Sequence, residues 1–188
     1  MDTYQALFLS LPTRNSTLRM RLWRALKEGG CAVLRDGVYV LPSMQANGAL
    51  ETLESEIRSH GGFAMRLHVQ PTDDNQNDSI RRLFDRSSEY GSLVKSIATT
   101  RSSLARLGSR RAQTAIRRLE RAFDKLSAID FFPGEAQLQA ISAFSELKRS
   151  YQALFSPDEP RFSHRALRPA DRRGYVRPGW GARNSRTG

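Results

Sequence analysis

"CAVLRDGVYVLP", residues 31–42, contains two β-rich runs that are separated by Asp36 and Gly37. An Asp-Gly pair between two such runs is a strong hairpin signal, because glycine adopts the positive φ angle that a tight turn needs. The stretch therefore predicts an antiparallel hairpin with strands over 31–35 and 38–42.

The segments on both sides of the hairpin each supply a strand and a helix. Residues 4–11 are a short apolar run before a proline, and residues 63–69 alternate apolar and polar side chains, so both predict strands. Helical spacing of apolar side chains predicts helices over 17–28 and 49–59. The order β-α-β-β-α-β is that of the ferredoxin-like unit, in which both helices pack on one face of an antiparallel sheet. We therefore predict an α+β fold with a ferredoxin-like domain over 1–72.

A helical annex is predicted after this domain. The polar stretch PTDDNQND marks the boundary, and residues 78–155 then place apolar side chains at helical spacing. The phase of this spacing breaks at Gly108, which predicts either a helical hairpin or a kinked long helix, and DFFPG at 130–134 is a second break. Residues 156–188 are rich in Pro, Arg and Gly, so we predict a basic, disordered tail.

The composition indicates a basic protein without a membrane span. Thirty Lys and Arg side chains against nineteen Asp and Glu give a net charge of +11. Arg outnumbers Lys, and its guanidinium group binds phosphate and other oxyanions in a bidentate manner. No apolar run reaches the ~18 residues of a membrane helix, and the N-terminus has no basic leader, so a cytoplasmic location is expected.

Few residues point to catalysis or to a bound cofactor. Cys31 is the single cysteine, and His60, His68 and His164 have no spacing typical of metal ligands. Glycine-rich phosphate loops, nucleophile elbows and Cys/His pairs are absent from the sequence. We therefore expect a protein that is not an enzyme and that uses no metal or cofactor. Cys31 is interpreted as a small buried side chain at the start of a strand.

Two sets of basic side chains are candidates for contact with nucleic acid. One lies on the first helix, and the other lies on the middle helices of the annex, where few acidic residues oppose it. Such sets bind the phosphate backbone and supply affinity without reading sequence. A solvated helix surface explains the first set equally well, whereas the density of the second set favours anion binding. The residues predicted to contact DNA are Arg19, Arg21, Arg24, Lys27, Arg110, Arg111, Arg117, Arg118 and Arg121.

Leu11–Pro42, LPTRNSTLRMRLWRALKEGGCAVLRDGVYVLP, resembles the N-terminal domains of the ChrB chromate-resistance regulators. These domains share a Leu-Pro-Thr start, an Arg-x-Arg-x-Trp-Arg-x-Leu-Lys helix and a Leu-x-Asp-Gly-Val-Tyr hairpin. A second block at 117–132, RRLERAFDKLSAIDFF, is similar to the family's basic helix and to the Asp-Phe-Phe break after it. The first block is also similar to the ferredoxin-like middle domain of PaaX-type repressors.

The resemblance implies a chromate-responsive transcriptional regulator that binds DNA and is associated with a chromate efflux transporter. ChrB proteins typically carry a second, C-terminal domain of similar size. This chain ends about where that domain would begin, so we expect either a naturally short relative or a truncated reading frame. The alternative is an interaction protein that forms a homodimer through the apolar stripes of the annex and does not bind DNA. A third hypothesis is direct binding of chromate by the clustered arginines.

Two further features bear on nucleic-acid chemistry. Small ferredoxin-like nucleases place a metal-binding aspartate at the end of the first strand, whereas this chain has Ser10 between two leucines, so metal-dependent cleavage is not expected. Four aromatic side chains could stack on bases, but each falls within an apolar stripe, so core packing is predicted for them. They are Trp23, Tyr39, Phe63 and Phe84.

Overall fold

The hairpin predicted around Gly37 is present in the computed structural model. The model describes three segments of the chain, residues 1–12, 16–45 and 48–156. Gly37 has a φ angle of +74°, and a Cβ atom at this position would lie 2.7 Å from the backbone oxygen of Leu9. Glycine avoids both the strain and the clash because it has no side chain. β2 (Ala32–Arg35) and β3 (Val38–Pro42) therefore pair antiparallel on either side of the turn.

Four strands form one antiparallel sheet in the order β2-β3-β1-β4. β1 (Tyr4–Ser10) pairs with β3 on one side and with β4 (Phe63–Val69) on the other. α1 (Ser16–Glu28) precedes β2, and α2 (Ala49–Ser59) precedes β4. This is the order of a ferredoxin-like unit, so the predicted α+β class is confirmed. Each element begins and ends within one residue of its predicted bounds.

Both helices pack on the same face of the sheet, as predicted. Leu22 and Leu26 of α1 belong to one buried cluster with Leu53 and Ile57 of α2 and Leu7 of β1. The α1 leucines recur every fourth residue, so they lie on one face of the helix. Full burial of one such side chain stabilises the fold by ~1.5–3 kcal/mol, and this cluster therefore fixes how both helices are oriented.

The polar stretch that was interpreted as a boundary contains the start of a helix. Five helices follow β4 in the described residues: α3 (Asp74–Arg82), α4 (Ser87–Ser102), α5 (Leu104–Leu107), α6 (Ser109–Ser127) and α7 (Glu135–Phe155). The Asp73 carboxylate accepts a hydrogen bond from the backbone N–H of Gln76 at 2.7 Å and caps α3. A capping side chain starts a helix without an apolar stripe in its first turn, which is why apolar spacing does not reveal α3.

The annex helices form a hairpin rather than one kinked helix. α4 packs against both α6 and α7, and α5 and Gly108 lie between α4 and α6. The ring of Phe123 in α6 lies 6.1 Å from that of Tyr90 and 5.7 Å from that of Phe144, measured between centroids. The apolar stripes of the annex are thus buried against one another within a single chain. A homodimer through the annex stays a prediction.

The sheet face opposite α1 and α2 is covered in part by the annex. Phe84, which follows α3, is only 1% exposed and stacks on Tyr4 with ring centroids 6.2 Å apart. Phe131 and Phe132, between α6 and α7, contact the same Phe84 ring at 5.8 and 5.7 Å. Tyr4, Phe84 and Ala6 belong to one buried cluster. The sheet and the annex therefore share a hydrophobic core.

The prediction of core packing is wrong for two of the four aromatic side chains. Phe84 is buried and Tyr39 is half-buried, but Trp23 is 46% exposed and Phe63 is 57% exposed. Phe63 pairs with Ser10 at the end of edge strand β4, on a part of the sheet that no described annex residue buries. Trp23 directly follows a core leucine, and consecutive helix residues are separated by about 100° around the helix axis, so its ring leaves the core.

The described residues bear on the predicted absence of a membrane span but not on most of the predicted C-terminal tail. No helix in the described segments combines the length and the apolar character that crossing a membrane requires. Most of the predicted tail, residues 157–188, lies outside the described residues.

Candidate nucleic-acid interface

α6 presents its basic side chains on one exposed arc. Ala112, Ile116 and Phe123 are buried in the annex core, which fixes the rotation of the helix about its axis. At about 100° per residue, six basic side chains fall within roughly 120° of the opposite surface. These side chains form the α6 basic arc: Arg110, Arg111, Arg117, Arg118, Arg121 and Lys125, all of which are exposed. Of the two acidic residues of the helix, Glu120 lies away from the arc, whereas the exposed Asp124 borders it, about 20° around the helix from Arg117.

No carboxylate of the described residues forms an ion pair with a side chain of this arc. Arg121 donates a hydrogen bond from Nε to the backbone oxygen of Arg117 at 3.3 Å, which leaves both charges in place. Glu120 instead forms an ion pair with Lys148 of α7 at 2.7 Å. The arc therefore keeps its positive charge for an anion from outside the chain.

The predicted residues of α1 are exposed, but two of the four are engaged. Arg21 forms an ion pair with Glu56 of α2, and Lys27 Nζ lies 5.0 Å from the centroid of the Trp23 ring. Within the described segments, the other two cations form no ion pair; they are Arg19 and Arg24. α1 thus offers fewer unengaged cations than the α6 basic arc.

The structure places all nine predicted residues at the surface, on two separately packed helices. α1 packs in the core beside the sheet, whereas α6 packs in the core of the annex. The two helices approach each other at a groove that is lined by Trp23 and Lys27 of α1 and by Leu126 of α6. Among the described residues, no hydrogen bond or ion pair joins the two predicted sets.

A buried polar cluster in the annex was not predicted from the sequence. Gln137 donates hydrogen bonds from its side-chain nitrogen to the Tyr90 hydroxyl at 3.0 Å and to Ser127 Oγ at 3.2 Å. Burial raises the pKa of Asp130, although hydrogen bonds with Tyr90 and with the Phe132 backbone oppose this shift. Burial also raises the pKa of Tyr90. The signal that could have indicated this cluster is the acidic residue inside the apolar run AIDFF.

The described residues contain no group of three His, Cys, Asp or Glu side chains that could hold a metal ion. Cys31 lies directly before β2 and is half-buried, and burial raises the pKa of its thiol to about 12. The thiol therefore stays protonated at neutral pH. A protonated thiol is a poor nucleophile and a poor metal ligand.

The family model described as "Protein ChrB, N-terminal" matches residues 19–156. This chain belongs to the ChrB N-terminal family. Protein ChrB of Cupriavidus metallidurans (strain ATCC 43123 / DSM 2839 / NBRC 102507 / CH34) is 39% identical to it over 155 residues, which is 82% of this chain and 48% of that protein. The chain thus spans about half the length of this curated relative, and no solved structure matches it.

The ChrB N-terminal match extends from α1 to the end of α7 and therefore includes both predicted basic sets. The predicted resemblance to ChrB is confirmed, and the similarity to PaaX-type repressors stays a prediction. The family region is not limited to the ferredoxin-like unit, because it also includes the annex that covers the second face of the sheet.

Proposed function

We propose that this chain is a DNA-binding regulatory module linked to chromate resistance, and that the α6 basic arc contacts the DNA backbone. The observation that carries the proposal is the arc itself: six exposed cations on one face of a helix whose opposite face is buried, with a single exposed acid, Asp124, at the border of the arc. Membership of the ChrB N-terminal family supports the link to chromate resistance, in line with the resemblance of the sequence blocks.

The chemistry of the arc suits phosphate groups. Five of its six side chains are arginines, whose planar guanidinium groups form paired hydrogen bonds with phosphate oxygens. From Arg110 to Lys125 the arc extends over about 22 Å, since a helix rises 1.5 Å per residue, and this length faces several phosphates of a DNA strand. Contacts of this kind supply affinity and orientation but no sequence readout.

The α6 basic arc is a better candidate for the main contact than α1. Arg21 would have to exchange its ion pair with Glu56 for a phosphate, and Lys27 would have to leave or share the Trp23 ring. Arg19 and Arg24 need no such exchange. We therefore expect α1 to add secondary contacts.

The test compares two variants of equal charge. The first replaces Arg117, Arg118 and Arg121 of the arc with glutamine. The control replaces three exposed cations elsewhere: Arg35 of β2, Arg82 of α3 and Lys95 of α4. Fluorescence anisotropy with labelled duplexes of several sequences, from about 50 to about 200 mM salt, gives affinity and its salt dependence.

We expect the arc variant to weaken binding to all sequences about equally and to reduce the slope of log K against log salt by about 0.9 for each lost contact. The control variant should keep most of the slope. Equal losses of DNA affinity in both variants would mean that binding depends only on the net charge of the protein and not on the α6 basic arc. Unchanged affinity and slope in the arc variant would refute the proposal and favour a protein that binds another protein.

One observation favours that second candidate function. Phe63, Met65 and Leu67 of β4 lie on the sheet face that the annex covers only in part, and all three are exposed. Their side chains alternate with inward-facing ones along an edge strand, so they form a continuous apolar strip. Such strips occur at contacts between proteins.

A further inference from the structure

The two edge strands of the sheet differ in how they are protected against pairing with another strand. β2 has only four residues and contains a register shift between Val33 and Arg35. β4 has seven residues, pairs with β1 in regular register along its whole length and contains neither proline nor lysine. Short strands, bulges, prolines and lysines are the features that block edge-to-edge pairing. β2 therefore has such protection, and β4 lacks it.

The register shows which backbone groups of β4 point away from the sheet. Leu9 donates its N–H to the Gly37 oxygen at 2.7 Å, so the odd-numbered residues of β1 bond to the β3 side and its even-numbered residues bond to β4. Those even-numbered residues lie opposite the odd-numbered residues of β4. The outward N–H and C=O groups of β4 therefore belong to Ala64, Arg66 and His68. In the described segments, one hydrogen bond reaches them, from Arg58 Nε to the Ala64 oxygen at 3.0 Å.

Apolar side chains line one face of this edge. Phe63, Met65 and Leu67, which we call the β4 strip, are 57%, 38% and 42% exposed. The strip lies on the sheet face opposite α1 and α2, and its members belong to none of the buried clusters of the described residues. An exposed strand edge with an adjoining apolar strip is a template for a further strand.

Charged side chains line the other face of the same edge. Arg66 forms ion pairs with Glu51 at 2.7 Å and with Glu54 at 3.4 Å, and Arg58 pairs with Glu54 at 2.8 Å. Because Arg58 also reaches the Ala64 oxygen, its positive charge lies near Ala64, whereas the carboxylate of Glu51 lies near Arg66. The side chains of Glu51 and Arg58 are each 60% exposed, so both can contact another chain.

We propose that β4 pairs antiparallel with β4 of a second copy of this chain, with Met65 opposite Met65 of the second copy. The two four-stranded sheets then form one continuous sheet. Phe63 lies opposite Leu67 of the second copy in this register, so every member of the β4 strip meets an apolar side chain. Sliding one strand by two residues in one direction would instead put Leu67 opposite Gly61 and leave part of the strip without an apolar partner.

The charges of the edge favour the same occupant and the same register. Ala64 lies opposite Arg66 of the second copy, so Arg58 of each copy is brought to the level of Glu51 of the other, and opposite charges meet. Sliding one strand by two residues in the other direction would put Arg66 opposite Arg66, and like charges directly opposite each other are destabilising. The edge is therefore complementary to itself, although the chain as a whole carries a charge of +11.

Sedimentation equilibrium of the full chain without DNA measures this contact. Three side chains and one strand edge bury less than the ~800 Å² per partner of a stable interface, so we expect a reversible dimer with a dissociation constant on the order of 10 µM. Met65→Lys should weaken the dimer at least ~10-fold, because the lysine would meet the same lysine of the second copy. Leu138→Lys is the matched control: Leu138 of α7 is also an exposed apolar residue, and its replacement should leave the dissociation constant unchanged.

Disulfide cross-linking tests the register in a chain whose single cysteine is removed by Cys31→Ser. Met65→Cys places a cysteine opposite itself at a non-hydrogen-bonded pair, where Cα atoms lie ~4.5 Å apart, within the ~4.4–6.8 Å that a disulfide spans. Oxidation with diamide should therefore give a covalent dimer. Leu67→Cys alone should stay largely monomeric, whereas a mixture of Leu67→Cys and Phe63→Cys chains should cross-link.

A chain that stays monomeric at ~200 µM, well above the expected dissociation constant, would overturn the proposal. A dimer that Met65→Lys leaves intact would overturn it too, and so would equal cross-linking of Met65→Cys and Leu67→Cys. Circular dichroism of each variant separates loss of the contact from loss of the fold. Because sedimentation is measured without DNA, failure of this proposal and failure of DNA binding can be told apart.

Discussion

Replacing Phe84 with alanine tests whether the sheet and the annex share one core. The side chain is 1% exposed, and its ring contacts those of Tyr4, Phe131 and Phe132 at centroid distances of 5.7 to 6.2 Å. Truncation of a buried phenylalanine costs ~3–5 kcal/mol, because apolar burial is lost and a cavity remains. Domains of this size are stable by ~5–15 kcal/mol, so the change removes a large part of the total.

Urea unfolding measures this loss with two signals. Far-UV circular dichroism reports mainly the helices, and Trp23 fluorescence in the Trp180→Phe background reports α1 beside the sheet. With a slope of ~2 kcal/mol per M urea, a loss of ~4 kcal/mol lowers the midpoint by ~2 M. Because Phe84 contacts both units, the two signals should shift together.

Phe63→Ala is the matched control, since Phe63 is exposed and its truncation should cost less than ~1 kcal/mol. Similar midpoints for Phe84→Ala and Phe63→Ala would refute the burial argument. A shift of the dichroism signal alone would show that Phe84 belongs to the annex and that the two units unfold separately.

Two further predictions concern the contact between the units. Gly30→Ala should destabilise the fold by ~2–4 kcal/mol, because Gly30 has φ +77° and a Cβ atom would lie 2.8 Å from the Phe131 ring. Gly61 has a similar φ of +74° but open space around it, so Gly61→Ala should cost only ~1–2 kcal/mol in urea unfolding. Equal costs for the two variants would contradict the steric argument. The raised pKa of Asp130 means that the folded state binds the proton of this carboxyl group more tightly than the unfolded state does. The contribution of Asp130 to the free energy of unfolding therefore falls as pH rises from the ordinary carboxyl pKa of ~3.9 to the raised value. Asp130→Asn should remove this fall, which begins near the ordinary carboxyl pKa of ~3.9, and parallel curves of stability against pH for the two proteins would exclude it.

The ferredoxin-like unit is predictable from sequence because its signals are local. Gly37 determines the hairpin, and the leucines of α1 recur at a spacing that only a helix places on one face. The exposure of the predicted arginines is predictable for the same reason, since a buried stripe on α6 leaves the opposite arc to solvent.

Contacts between distant segments are not predictable in this way. Apolar spacing marks Phe84 as a core residue, but nothing in its surroundings says that it belongs with Tyr4, about 80 residues earlier. The groove, in which Lys27 and Arg86 come together, depends on the same packing of annex against sheet.

The shared aromatic core also sets an order of events during synthesis. All strands of the sheet are complete at Val69, but Phe131 and Phe132, which pack on the Phe84 ring over the face opposite α1 and α2, lie about 60 residues further along the chain. At ~5–20 residues per second, a ribosome needs about 3–12 s to make this segment. During that interval this face of the nascent sheet has only the part of its cover that Ile80 and Phe84 supply. We expect this newly made intermediate, more than the finished protein, to need protection by chaperones against aggregation.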